Sequence, residues 1–209
     1  MKKLFIGIII WILMSAPCYG AEVDKTEQKE EFRKYCITKL FELRDELLNF
    51  REQQEAESKM PASKIYDVPQ NRGFKSYMPY TAITSTGSKQ YKLQHQYAYT
   101  GNYGIRQVND RYCIALGTYY TDQIGQELDL ILENGVVIPC ILADQKANVD
   151  TDSSNKITLH NGCVAEFVVD RSSLYRMAKR MGDISFCCDE WNSPVSKIRV
   201  YDRNVFETY

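Results

Sequence analysis

Histidine is nearly absent from this 209-residue chain, with two copies, and its charges almost cancel, 26 Lys and Arg against 27 Asp and Glu. Two imidazoles exclude any site built on three. A formal charge of −1 gives no electrostatic footprint for a polyanion, so nucleic acid is not an expected partner. Seven cysteines are present but no Cys-x-x-Cys pair, which argues against structural zinc. Asp150-x-Asp152-x-Ser154 opens like a calcium loop, yet Asn155 stands where the sharp-turn glycine belongs and Asn161 where the bidentate glutamate belongs. No metal and no cofactor are therefore expected. The longest apolar run, Leu4 to Met14, is eleven residues, well short of the ~20 that cross a bilayer as a helix. What is abundant is core-forming material: 44% of residues are hydrophobic, which excludes disorder over the whole length.

The apolar run belongs to an export signal. Lys2 and Lys3 supply the positive start, and Ser15 to Ala21 supplies small residues with a helix breaker at Pro17. Cleavage is expected after Gly20, or one residue later, and a membrane association arises only if this segment stays uncleaved. Removing residues 1–20 leaves 189 residues charged near −3 and six cysteines. Outside the cytoplasm Cys36, Cys113, Cys140, Cys163, Cys187 and Cys188 have fifteen possible full pairings. Cys113, Cys140 and Cys163, set among Ile, Val and Leu, read equally well as small buried hydrophobes.

Residues 24–59 lack Gly and Pro and place Cys36, Leu40, Leu43, Leu47 and Phe50 at alternating spacings of four and three. This predicts a long coiled-coil-like helix. Ile37, Phe41 and Leu48 broaden its apolar face and suggest packing against a helix partner or the following domain. Residues 60–73 read as a linker. From 74 to 110 tyrosines crowd together (Tyr77, Tyr80, Tyr91, Tyr97, Tyr99, Tyr103), in keeping with a cap packed onto a core or, alternatively, with a surface that stacks on sugars.

Residues 111–202 carry the strand signals. Tyr112 to Tyr120 is β-prone, and Leu128 to Leu132 and Val136 to Leu142 are joined through Asn134-Gly135, a strong two-residue hairpin signal. Pro139 inside the second arm requires an edge or a bulge. Cys163 to Val169 and Lys197 to Tyr201 follow as strands, with a short helix in Ser172 to Met181 between them. No strand-helix alternation occurs, so the expected fold class is mainly β, a small β-barrel preceded by a long helix.

Two carboxyl groups stand out as candidate chemistry. Asp144 lies at a strand end, and Glu166 interrupts the apolar run Cys163 to Val169, where alternation sets it beside Val164 and Val168 on what reads as the solvent side. A shielded carboxyl keeps its proton and an exposed or paired one loses it, the division that acid/base catalysis needs. A thiol site from Cys163 and His160 is disfavoured, since three residues apart is turn spacing.

The segments Ile114-Ala115-Leu116-Gly117, Ile124 to Leu128, Leu142-Ala143-Asp144 and Asn161 to Asp170 resemble, in that order, the three-aspartate (3D) domain. That domain is a double-psi β-barrel related to membrane-bound lytic transglycosylase A and the stationary-phase survival proteins. The likeness covers about residues 111–170. It implies a double-psi-type barrel, an extracytoplasmic location in the cell envelope and peptidoglycan glycan strands as substrate. Asp144 takes the place of the middle aspartate and Glu166 that of the last. Lys146 and His160 are then expected to contact substrate, and Tyr119 and Tyr120 to line a sugar groove. The first aspartate of the pattern falls near Gly117, Gln145-Lys146 replaces a glycine pair, and the loop from Asp144 to Glu166 is longer. A catalytically inactive barrel that binds a cell-wall glycan or a protein partner is the competing expectation.

Overall fold

The computed structural model describes residues 25–59 and 61–207, with side chains for 29–52 and 61–207, so the expected signal segment 1–20 lies outside the described residues. Contacts divide the chain into two units, Met1–Met60 and Pro61–Tyr209. The first contains helix α1, Lys25–Lys59. Its continuity follows from 35 residues without a Gly or Pro to interrupt the backbone ladder.

The second unit is mainly β. Its strands are β1 Ser63–Asp67, β2 Ser76–Pro79, β3 Tyr99–Thr100, β4 Arg106–Val108, β5 Arg111–Leu116, β6 Gln126–Leu132, β7 Val137–Gln145, β8 Glu166–Val169 and β9 Val195–Asn204. Two short helices, α2 Lys89–Lys92 and α3 Arg176–Met181, complete it. All nine strands join one mixed sheet in the order β1-β9-β6-β7-β5-β4-β3, with β8 pairing both β5 and β2. Only β5 with β7 and β2 with β8 run parallel. The pairing path ends at β1 and at β3, so among the described residues nothing closes the sheet into a barrel.

The β6–β7 hairpin turns through Gly135 at φ 85°, a conformation open to glycine at little cost. Pro139 pairs with Asp129 of β6, whereas β5 begins its ladder only at Cys140. The proline thus lies where β7 has a neighbour on one side alone, and its missing N–H breaks no bond. Beyond Leu116 the expected strand through Tyr120 gives way to a turn, since Gly117 packs against the Asn155 backbone. Residues 63–67 of the stretch read as linker instead form β1, whose five residues pair with β9.

Alternation along β5 and β8 sends side chains into two apolar clusters. Ile114, Leu116, Leu142 and Phe167 enter the larger one, and Cys113, Ile141 and Val168 the smaller. Each such aliphatic or aromatic side chain contributes about 1.5–3 kcal/mol by burial. The smaller cluster is covered by Leu93, Met78, Tyr80, Tyr91 and Tyr97 from the Tyr-rich segment. That cover explains why β8 is buried on both faces and why the side of Glu166 is not open solvent.

Lys75, 1% exposed, ties the chain before β2 to the segment 185–193. Its Nζ donates to the carbonyl oxygens of Trp191 (2.7 Å), Gly73 (2.8 Å) and Ser193 (2.9 Å) and approaches Ser185 Oγ at 3.3 Å. Burial pulls the amine down to about 8, against a partial offset from Asp183. The six described cysteines are all free thiols.

Candidate functional site

Ala115 of β5 pairs with Asp144 of β7 on one side and with Glu166 of β8 on the other, and Glu166 pairs in turn with Ser76 of β2. Residues in register on neighbouring strands project to the same face. Asp144 and Glu166 therefore flank a methyl group across one intervening strand, their Cα atoms two strand spacings or ~9–10 Å apart. An irregularity puts Asp144 there. The register steps from Ile114↔Leu142 to Ala115↔Asp144, leaving Ala143 as an extra residue. In an unbroken ladder Ala143 would face Ala115, and Asp144 would sit opposite Leu116 on the other side of the sheet. Bulges of this kind re-aim side chains beside functional sites.

The row opens into a cleft of about 670 Å³ whose walls include Ala115, Asp144, Lys146, Asp150, His160 and Glu166. Lys146 is buried and its Nζ stands 2.7 Å from Glu166 Oε2. Burial raises the pKa of Asp144. The Gln145 backbone N–H and the Gln90 side chain pull it back, nearby Glu166 pushes it up, and Lys146 lowers it. The two carboxyl groups thus have different surroundings, one shielded and one ion-paired. Two polar atoms of the cleft residues, Gln145 Nε2 and Thr158 Oγ1, are buried without a hydrogen-bond partner.

Asp144, Glu166, Lys146 and His160, all singled out from sequence, meet in this one cleft. Lys146 is occupied by Glu166 rather than free to meet a ligand, while His160 stands exposed at the wall. Tyr119 and Tyr120 are elsewhere. Tyr120 is 2% exposed, sits in the larger cluster and borders a separate hollow of about 330 Å³ with Tyr66 and Tyr201. Tyr119 is exposed and packs edge-on against Tyr66. Core demand at the turn after Gly117 has claimed Tyr120. Cys163 is fully buried: its Sγ donates to the Ala165 carbonyl at 2.5 Å and accepts from the Ser76 N–H at 3.3 Å. Burial raises its thiol, which opposes thiolate chemistry.

No carboxylate fits at Gly117. A Cβ there would fall 2.0 Å from the backbone oxygen of Asn155, because the long loop after Asp144 folds over that position. The loop is held by Asp152, whose carboxylate accepts from the N–H groups of Ser154, Lys156 and Ile157 and from the Ser154 hydroxyl. These bonds, the Ser154 hydroxyl first, hold Asp152 down at about 2. Among the described residues no group of three His, Cys, Asp or Glu is placed to bind a metal ion, and no helix is long and apolar enough to cross a membrane. Sequence reasoning missed Gln90, which reaches Asp144 from α2; a polar residue of a tyrosine-rich segment carries no local signal of that role. No family model, curated protein or solved structure matches the chain.

Proposed function

We propose that the chain is an exported cell-envelope protein that cleaves peptidoglycan glycan strands as a lytic transglycosylase does, on a sheet related to the double-psi barrel. The observation that carries the reading is the cleft itself. It holds a shielded carboxyl, Asp144, whose raised pKa favours the proton-bearing form, and a second carboxyl, Glu166, across one strand. The topology supports the fold relation: β5 and β6 are consecutive and mutually antiparallel with β7 between them, a psi-type arrangement.

In this mechanism the Asp144 carboxyl gives its proton to the glycosidic oxygen as the C1–O bond breaks. The resulting carboxylate accepts the proton of the muramic acid 6-hydroxyl, whose oxygen bonds to C1 and closes a 1,6-anhydro ring. Water is neither consumed nor released, and one acid/base suffices, unlike the two carboxylates of glycoside hydrolysis. Glu166 with Lys146 fixes the polarity beside Asp144.

A second reading is favoured by the closed position at Gly117 and the pairing of Glu166 with Lys146, which leave Asp144 as the single carboxyl free of an ion pair in that row. It is a β unit that binds the glycan without cutting it. Incubating the exported chain with purified sacculi separates the two: the enzyme releases soluble fragments in an Asp144-dependent way, whereas the binder co-sediments with intact sacculi. Neither release nor co-sedimentation by folded protein overturns both.

A further inference from the structure

Beyond the cleft, the strongest unassigned feature is the apolar seam of α1. Leu40 is 66% exposed, Leu47 48% and Phe50 49%, on the row that also holds Cys36 and Leu43. Spacings of four and three set Cys36, Leu43 and Phe50 at d positions of a heptad and Arg33, Leu40 and Leu47 at a positions. The flanking positions then become fixed. Phe32, Lys39 and Glu46 are g residues, and Glu30, Ile37, Arg44 and Arg51 are e residues.

From this charge pattern we propose that α1 pairs with α1 of a second copy of the chain as an antiparallel two-stranded coiled coil, with the dyad between Phe41 and Glu42. In that register Leu40 packs on Leu43 of the other copy, Cys36 on Leu47 and Arg33 on Phe50. Antiparallel pairs bring g residues against g and e against e. Lys39 then meets Glu46, and Glu30 meets Arg51, each twice by symmetry. All four pairs attract. Sliding by one heptad in one direction sets Glu46 on Glu46 and Arg44 on Arg44; in the other it sets Lys39 on Lys39. The parallel arrangement pairs Glu46 with Arg51 but opposes Lys39 to Arg44. Like charges across a seam select against those alternatives, so the sequence specifies one orientation and one register. Phe41 and Leu48 lie outside the seam and take no part in it.

Sedimentation velocity of the exported chain tests the association: a dimer is expected, and Leu40→Glu with Leu47→Glu should give monomers that keep the near-ultraviolet spectrum of the β unit. Orientation is read independently. In the antiparallel register Leu47→Cys crosslinks across the dimer to the native Cys36, identified by peptide mapping, and the unsubstituted chain forms no Cys36–Cys36 bridge. Charge reversal gives opposite signs: Lys39→Glu weakens the antiparallel dimer at least tenfold and Lys39→Glu/Glu46→Lys restores it, whereas Lys39→Glu strengthens a parallel one. A monomeric parent, an assembly of more than two chains, or a Cys36–Cys36 bridge overturns the proposal.

Discussion

Replacing Lys146 by Met, Glu166 by Gln, and both together isolates the ion pair that shapes the cleft. Unit charges 2.7 Å apart attract by about 6 kcal/mol at an effective dielectric of ~20, an upper bound for this pair. The ends differ in shielding, since the Lys146 side chain is 7% exposed and that of Glu166 25%. Desolvation and partial screening by water reduce the net coupling to about 2 kcal/mol. Lys146→Met alone strands Glu166 in the cleft wall and should cost about 2–3 kcal/mol. Glu166→Gln keeps the shape and an acceptor, and the double variant should cost about 2 kcal/mol less than the two single costs combined. Urea denaturation at neutral pH, followed by tryptophan fluorescence, reads all three. A coupling below about 0.5 kcal/mol would place the pair with exposed surface bridges and refute the argument that it polarises the site.

Three further outcomes follow from the geometry. Gln90→Ala removes a hydrogen bond that favours the charged form of Asp144, so the alkaline limb of a glycan-cleavage pH profile should move to higher pH, because the proton donor survives to higher pH; a downward shift contradicts the assignment. Gly117→Ala drives a Cβ to 2.0 Å from a backbone oxygen and should destabilise the β unit by about 2–3 kcal/mol, measured by thermal or urea unfolding. Lys75→Met leaves the Ser193 carbonyl oxygen without its donor, while those of Gly73 and Trp191 keep Ser185 Oγ and the Ser193 N–H, and should cost about 1–3 kcal/mol. Since the Lys75 pKa drops to about 8 on folding from 10.5, the unfolded chain binds more protons between these values; the parent's stability should rise with pH across that window, and the variant should lose that slope.

The elements that local chemistry specifies were legible in the sequence. Absence of Gly and Pro predicted α1, and Asn134-Gly135 placed the β6–β7 hairpin, although its loop is the three residues Glu133 to Gly135 closed by the Leu132 N–H on the Val136 carbonyl and not the two expected. Long-range pairing was not legible. Ser63 to Asp67 offers five residues of which only Tyr66 is half-buried, too little pattern to reveal a strand that exists because β9 has an open side. Glu166 was visible as a charge inside an apolar run and Asp144 as a carboxyl closing a strand, whereas Lys146 and His160 were expected only through the family resemblance. Their geometry was hidden, since it depends on Ala143 being one residue too many, which no composition signal announces. Tyr120 misled for the reverse reason: an aromatic next to a polar turn looks like a sugar platform, and here it fills the core.

The most direct measurement is mass analysis of the products from purified sacculi treated with the chain lacking residues 1–20 and with its Asp144→Asn variant. Lytic transglycosylation by Asp144 yields fragments ending in anhydro-muramic acid, lighter by one water than hydrolytic products, and these are lost in the Asp144→Asn variant. Fragments with ordinary reducing ends, undiminished cleavage by Asp144→Asn, or no product from correctly folded protein would contradict it.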